Sequence, residues 1–200
     1  MKIAIYGATG MVGSQIVTEA LGRGHQVTAV SRKGTPVEGA ATATAELGDL
    51  GAYRALAADH DVVVFSVPPS REGGDAQDFI DAHEEISETL VPARVFIVGG
   101  AGSTMVGGGL LVDQPGFPPE YEAESRAMIA VMENYNSASG LDWTMLAPAP
   151  VIAPGERTGS YKLGADSPVG DSISTQDFAV AVLDELEEPK HQHRRFTVAN

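Results

Sequence analysis

Three glycines spaced three residues apart stand near the start of the sequence, as Gly7-Ala-Thr-Gly10-Met-Val-Gly13. A short apolar run, residues 2–6, precedes them, and apolar residues at helical spacing follow them as far as Leu21. Glycines leave room for a phosphate to approach backbone N–H groups at a helix N-terminus, where the helix dipole favours negative charge. The spacing between a strand and a helix therefore predicts a pyrophosphate-binding loop, and a tight turn without a ligand is the alternative interpretation.

Two cations and a hydroxyl, Ser31, Arg32 and Lys33, stand at the end of the next predicted strand. A dinucleotide with free ribose hydroxyls usually meets an acidic side chain at this point, whereas a 2′-phosphate requires a cation. The two adjacent cations therefore favour NADPH over NADH. A solvated basic turn is the alternative, although a basic pair is unusual in a chain with 13 basic and 27 acidic residues.

Composition excludes several classes of protein. A chain of 200 residues is long enough for one domain with its own core. Its formal charge of −14 opposes binding to nucleic acids and to anionic membrane surfaces. The absence of cysteine excludes disulfides and thiolate zinc sites. With no membrane-length apolar run and no signal-peptide pattern, we expect a cytoplasmic protein that acts on a small molecule, as a monomer or a homodimer.

Apolar periodicity predicts strands alternating with helices, which indicates an α/β fold: a Rossmann-type, doubly wound parallel sheet in three layers. Residues 1–200 then form a single domain, in which residues 150–200 and the loops 101–119 and 153–169 cover the substrate. Ligands bind such sheets outside the carboxyl ends of the strands. The predicted strands are 2–6, 25–32, 41–46, 61–67, 95–98, 142–147 and 195–198. The predicted helices are 11–21, 50–58 (with Asp49 as its N-cap), 75–90, 120–139 and 175–187. The segments predicted to form the ligand-binding edge of the sheet are 7–13, 31–34, 48–49, 66–70, 99–104 and 147–154.

Motifs distributed along the whole chain resemble those of the atypical short-chain dehydrogenase/reductases. They are similar to the small NAD(P)H-binding proteins described as NADH-flavin reductases, relatives of biliverdin-IXβ reductase. The motifs are GATGMVGSQIV, VTAVSRKG, GDL, DVVVFSV, RVFIVGGAGS, DWTMLAPA, PGERTG and FAVAVLDELE. The resemblance implies a pyrophosphate held by Gly7, Thr9, Gly10, Met11, Val12 and Gly13; an adenosine ribose at Ser31, Arg32 and Lys33; an adenine flanked by Asp49 and Leu50; and a path to the nicotinamide lined by Ser66, Val67 and Pro68.

The usual catalytic pair of the superfamily is missing from this sequence. Typical members carry a tyrosine and, four residues later, a lysine that assists it as a proton donor. Here Tyr121 is followed by Ser125, and the only lysines of the chain are Lys2, Lys33, Lys162 and Lys190. By resemblance, Ser103 occupies the place of the substrate-binding serine, with a polar loop residue as the alternative.

Tyr121 itself has two possible roles. It could donate a hydrogen bond to a substrate, or it could pack beneath Pro118 and Pro119 at the start of its helix. The helical spacing places it on one side with Met128, Met132 and Tyr135. The histidines offer no metal site: His25, His60 and His83 are expected at the surface, and His191 and His193 in an exposed turn.

The missing proton donor favours an acceptor that needs none from the protein. A flavin or a quinone takes a hydride into a conjugated ring and can receive its proton from water. We therefore expect an NADPH-dependent oxidoreductase with such an acceptor. A non-catalytic NAD(P)-binding sensor is the alternative, and a nucleotide-sugar epimerase or dehydratase is disfavoured because those enzymes usually keep the tyrosine–lysine pair.

Overall fold

Parallel strands and flanking helices make up the computed structural model, which describes residues 1–69 and 76–200. Within these ranges the strands are β1 (Lys2–Tyr6), β2 (Gln26–Ser31), β3 (Ala41–Thr44), β4 (Val62–Phe65), β5 (Arg94–Val98), β6 (Met105–Val106), β7 (Gly109–Leu110), β8 (Trp143–Pro148), β9 (Val151–Ala153), β10 (Lys162–Gly164), β11 (Ser172–Ser174) and β12 (Arg194–Ala199). The α-helices are α1 (Gly13–Gly22), α2 (Leu50–Asp59), α3 (Ala76–Glu88), α4 (Glu122–Ser137) and α5 (Thr175–Glu187).

The main sheet has the order β10-β12-β8-β5-β4-β1-β2-β3 in the described residues. All of its neighbouring strands pair in parallel except β10, which runs antiparallel to β12 at one edge. The strand order reverses between β1 and β4, which is the switch point where such sheets bind ligands. This topology confirms the predicted Rossmann-type doubly wound sheet.

Helices cover both faces of the sheet and so form three layers. One core joins α1 and α5 to Ile3 and Ile5 of β1, and the other joins α2, α3 and α4 to Ala4 and Tyr6 of the same strand. Because side chains alternate along a strand, covering both faces requires apolar residues at every position. This requirement explains the continuous apolar run of β4.

Helix α5 shows how local spacing and packing agree. Ser174 precedes it, and the Ser174 hydroxyl accepts a hydrogen bond from the Asp177 N–H at 2.9 Å, as a good N-cap does. Phe178, Val182 and Leu186, four residues apart, are all buried against the sheet. Truncating Phe178 to alanine would cost about 3–5 kcal/mol of stability, as expected for a large core residue. The predicted bounds 175–187 are confirmed.

The predicted boundaries differ from the observed ones mainly around loops. Helix α1 begins at Gly13 rather than at residue 11, because the preceding residues turn back on Gly7. The pair β9–β11 and the hairpin β6–β7 were not predicted, since elements of two or three residues leave little periodicity. Residues 119–121 form a short 3₁₀ turn ahead of α4. Asp75, at the start of the predicted helix 75–90, and Ser70, in the predicted edge segment 66–70, lie outside the described residues.

The prediction that His83 lies at the surface is wrong. His83 is fully buried, and its Nδ1 atom lies 3.0 Å from the Tyr135 hydroxyl. Burial lowers the pKa of His83 to about 3, so the ring is neutral at physiological pH. The acidic residues of α3 suggested a solvent-facing helix, but α4 packs against the side of α3 that carries His83.

His191 is also more enclosed than predicted. Its Nδ1 atom lies 2.8 Å from the buried Glu185 carboxylate, and its ring stacks on Phe196 with the centroids 4.0 Å apart. His193 is exposed, as expected for a turn, and has a positive φ of 55°. The contact with Glu185 arises from tertiary packing at the end of α5 and was therefore not visible in the spacing of the two histidines.

Candidate active site

The three glycines of the first loop are not equivalent. A Cβ atom at Gly13 would lie 2.1 Å from the Gly7 carbonyl oxygen, and one at Gly7, whose φ is +72°, would lie 2.2 Å from the Ser66 carbonyl oxygen. A Cβ atom at Gly10 would meet only the Gly7 carbonyl oxygen, at 3.2 Å. The fold itself therefore requires Gly7 and Gly13, whereas Gly10 leaves open the space that a ligand would need.

Backbone donors gather beside this loop at the N-terminus of α1. The Gly10 N–H donates to the Gly7 carbonyl at 2.9 Å and the Ser14 N–H to the Gly10 carbonyl at 3.0 Å. Within residues 1–69 and 76–200, no acceptor is hydrogen-bonded to the N–H groups of Met11, Val12 or Gly13. Unpaired N–H groups at the positive end of a helix are suited to an anion such as a pyrophosphate.

The turn after β2 carries two cations that have no ion-pair partner among the described residues. Arg32 and Lys33 are exposed, and no described carboxylate lies within ion-pair distance of either. The Ser31 hydroxyl accepts a hydrogen bond from the Thr35 N–H at 2.9 Å, and Gly34 adopts a φ of +58° that completes the turn. Most other described cations are ion-paired, namely Lys2, Arg23, Arg94, Arg126, Arg157, Lys190 and Arg195.

Asp49 is an N-cap, as predicted. Its carboxylate accepts a hydrogen bond from the Ala52 N–H at 2.9 Å and so fixes the start of α2, with Leu50 as the first helical residue. Close by, burial raises the pKa of Tyr6 to about 12, and the negative charge of Asp49 adds to the increase. The Tyr6 phenol is therefore neutral at physiological pH.

The segment after β4 lies beside the switch point between β1 and β4. Ser66 is buried, and its N–H donates to the Tyr6 carbonyl at 3.0 Å, which continues the pairing of β1 with β4. Val67 is half-buried and Pro68 is exposed. A Cβ atom at Gly7 would lie 3.3 Å from Val67 Cγ2, so this segment is directly next to Gly7.

Ser103 is turned into the protein. Only 1% of it is exposed, and its hydroxyl donates to the Gly100 carbonyl at 2.9 Å. The guanidinium of Arg195 donates to the Ser103 carbonyl oxygen from the other side. In this arrangement the side chain stabilises the loop after β5 rather than facing the open edge of the sheet.

Tyr121 lies at the open edge, because α4 runs back from the carboxyl ends of the strands. Half of its surface (50%) is exposed, whereas Met128 and Tyr135 of α4 are buried. The prediction that Tyr121 shares one side with those residues is therefore wrong. Ser125 occupies the place of the usual lysine and packs so tightly that a Cβ atom at Gly102 would lie 2.2 Å from its Oγ.

The described residues contain neither a cluster of metal-binding side chains nor a membrane-spanning helix. In the described part of the chain, no group of three or more histidine, aspartate or glutamate side chains is placed to hold a metal ion. None of the described helices has both the length and the apolar character needed to cross a bilayer.

Comparison with known proteins adds a family and several similar structures. Residues 7–189 match the family model described as NAD(P)H-binding. A Burkholderia pseudomallei structure named "putative exported protein" is 36% identical with a TM-score of 0.90, and the match covers 100% of both chains. A Streptococcus pneumoniae structure named "putative NADH-flavin reductase" is 28% identical with a TM-score of 0.87, over 100% of this chain and 99% of the other. A Bacteroides thetaiotaomicron "putative epimerase" is 33% identical with a TM-score of 0.85, over 99% and 96%.

Proposed function

Because this chain belongs to the NAD(P)H-binding family, we propose that it is an NADPH-dependent oxidoreductase that reduces a flavin, a quinone or a similar conjugated acceptor. Two observations on the described residues carry the proposal together: the N–H groups of Met11, Val12 and Gly13 have no acceptor there, and the cations Arg32 and Lys33 have no ion-pair partner there. Both features provide donors for phosphate oxygens, and both lie at the carboxyl edge of the sheet. Similarity to a structure named as an NADH-flavin reductase supports the acceptor class.

Each part of the cofactor has residues of suitable chemistry in this proposal. The loop donors would hold the pyrophosphate, the basic turn the 2′-phosphate, and the start of α2 the adenine. The bound nicotinamide supplies a hydride. The pyrophosphate residues are Gly7, Thr9, Gly10, Met11, Val12 and Gly13, and the residues for the 2′-phosphate and its ribose are Ser31, Arg32 and Lys33. Asp49 and Leu50 would flank the adenine, and Ser66, Val67 and Pro68 would lie beside the nicotinamide.

Proton supply follows from what the residues beside β5 can do. The position of the usual lysine is filled by Ser125, and the Ser103 hydroxyl is bonded to the Gly100 carbonyl. We therefore assign Ser103 to shaping the loop and Tyr121 to orienting the acceptor with one hydrogen bond. The proton comes from water, which a conjugated acceptor allows because its reduced ring holds the charge until protonation.

A non-catalytic dinucleotide sensor is the second candidate function. The tight contact of Ser125 with Gly102 favours it, because this contact occupies the place where the superfamily's proton-donating pair would be completed. The same contact opposes a nucleotide-sugar epimerase, in spite of the similarity to a structure with an epimerase name.

The test is NADPH oxidation, followed by absorbance, with riboflavin, FMN, menadione and a short-chain ubiquinone as acceptors. We expect turnover with at least one of these acceptors. We also expect calorimetry to show binding of NADPH when no acceptor is present. Binding without any turnover would support the sensor. Failure to bind either NADPH or NADH would contradict both functions.

A further inference from the structure

Arg195 of β12 joins two loops near the carboxyl edge. Its Nη1 atom donates to the Ser103 carbonyl oxygen and lies 3.4 Å from the Ser103 hydroxyl. Its Nη2 atom donates to the Asp166 carboxylate at 2.7 Å and lies 3.3 Å from the Asp166 carbonyl oxygen. Only 6% of the Arg195 side chain is exposed. One buried cation therefore connects the loop after β5 with the loop between β10 and β11.

The same contacts extend to the hairpin β6–β7. The Met105 N–H donates to the Asp166 carbonyl at 2.8 Å, and the Leu111 N–H donates to the Thr104 carbonyl at 2.8 Å. The two residues at the hairpin turn, Gly107 and Gly108, have open space where a Cβ atom would lie. The hairpin is thus held at its base, and the base is bonded to Asp166.

We propose that Arg195 is a positioning residue that fixes residues 101–113 on the C-terminal segment and so sets the shape of the acceptor region, residues 99–126. This inference rests on the proposed function, because residues 101–113 follow β5 on the side of the switch point away from the basic turn. A buried arginine with one carboxylate partner is strongly disfavoured if that partner is lost. Its planar group also bonds Ser103 and Asp166 at once, which a lysine ammonium cannot reproduce in the same geometry.

Hydrogen exchange measured by NMR tests the connection without any need for activity. We expect the exchange rates of the Met105 and Leu111 amides to rise at least tenfold in Arg195→Gln and in Asp166→Asn. Arg195→Lys should give a smaller rise. The matched control is Arg194→Gln, since Arg194 is exposed and has no described ion-pair partner; its exchange rates should equal those of the wild type.

Kinetics with the best acceptor test the consequence for the site. In Asp166→Asn and Arg195→Lys we expect the acceptor KM to rise at least fivefold, with kcat and the Kd for NADPH within about twofold of wild type. A general loss of stability would instead lower kcat and weaken NADPH binding together. Asp166→Asn keeps the test valid if the Arg195 variants misfold. Because 70% of the Asp166 side chain is exposed, its substitution should leave the fold intact.

The contrary outcomes are distinct. Unchanged exchange at Met105 and Leu111 in both Asp166→Asn and Arg195→Lys overturns the connection. Faster exchange with an unchanged acceptor KM overturns the positioning role. If the wild-type protein reduces no acceptor, the proposed function fails by itself, and the exchange rates alone then decide whether Arg195 fixes residues 101–113.

Discussion

Two regions of the carboxyl edge differ in how their charges are used. In the phosphate region, residues 7–13 and 31–34, the cations Arg32 and Lys33 have no described ion-pair partner. In the acceptor region, residues 99–126, there are four acidic residues and one basic residue, Arg126, whose guanidinium lies 2.8 Å from the Asp113 carboxylate and 3.3 Å from that of Glu122. The first region is suited to an anion, whereas the net negative charge of the second opposes the binding of one.

The two regions also differ in what holds their backbone in place. The phosphate region is fixed by Gly7 and Gly13, where a Cβ atom would lie 2.2 and 2.1 Å from a backbone oxygen. Its main chain adds the N–H groups of Met11, Val12 and Gly13, which have no acceptor within the described residues. The acceptor region is held by side chains from distant parts of the sequence, such as Arg195 on Ser103. In the proposed function, a cofactor common to many proteins would thus be recognised by local backbone, whereas the acceptor would be left to loops that can vary.

The largest expected effect would come from filling the open space at Gly10. Gly10→Val should raise the Kd for NADPH at least a hundredfold and leave the fold intact, because its Cβ meets only one backbone atom of the protein, at 3.2 Å. Calorimetry and circular dichroism measure the two properties. Gly22→Val is the matched control, since nothing lies within 4 Å of a Cβ there. Full NADPH affinity in Gly10→Val would place the cofactor elsewhere.

Gly13→Val tests whether the fold requires Gly13 more strongly than it requires Gly10 of the same loop. Its Cβ would lie 2.1 Å from the Gly7 carbonyl oxygen, so the backbone must move, at a cost of at least about 1–3 kcal/mol. We expect a lower Tm for this variant than for Gly10→Val in the same calorimetric scan. Equal melting temperatures would show that the loop is less rigid than its contacts indicate.

The basic turn should determine the choice between cofactors. We expect the wild-type protein to bind NADPH at least tenfold more tightly than NADH, since charge-assisted hydrogen bonds contribute about 1.5–3 kcal/mol each. Changing Arg32 and Lys33 together to alanine should remove this preference and leave NADH binding nearly unchanged. Arg194→Ala is the control for loss of a cation elsewhere. Equal or tighter binding of NADH by the wild type would contradict the assignment.

The acidic acceptor region should discriminate against charged acceptors. We expect kcat/KM for riboflavin to exceed that for FMN by about tenfold, with the difference shrinking as salt is added, because screening weakens repulsion between exposed charges. Steady-state NADPH oxidation at two ionic strengths measures this. A preference for FMN would mean that a cation outside residues 99–126 serves the acceptor.

The smallest effect is expected at Tyr121. Tyr121→Phe should lower turnover of flavin or quinone by less than tenfold, because it removes at most one hydrogen bond of about 0.5–1.5 kcal/mol. A general acid would contribute about 10² to 10⁴ in rate. Steady-state kinetics of both proteins decide the matter, and a loss of a hundredfold or more would identify Tyr121 as a true proton donor.

Much of the fold was predictable because its signals are local. The bounds of β1 and α5 were predicted to the residue, since an apolar run closed by a glycine and a capped four-residue repeat are each complete within a few residues. The glycine loop and the basic turn were also visible, because their chemistry depends on neighbours along the chain. Their roles in binding a cofactor stay predictions until the ligand titrations are made.

Side-chain environments in the acceptor region were less predictable. The sequence placed Tyr121 with Met128 and Tyr135 on one side of a helix predicted to start at residue 120. Helix α4 begins instead at Glu122, after a 3₁₀ turn that contains Tyr121 and leaves its ring exposed. The burial of the Ser103 side chain could not be predicted either, because Arg195, whose Nη1 atom lies 3.4 Å from the Ser103 hydroxyl, is 92 residues further along the chain.

Periodicity and adjacent residues were sufficient to predict the five α-helices of the described residues, the parallel strands of the main sheet and the glycine loop with its basic turn. Three features emerged only from the folded chain: which glycine leaves space for a ligand, which cations have no ion-pair partner among the described residues, and the burial of His83 in spite of its acidic helix. The physical reason is the same in each case. Burial and charge pairing depend on groups brought together from distant positions in the sequence. The residues of a single helix or turn do not indicate which distant groups will pack against it.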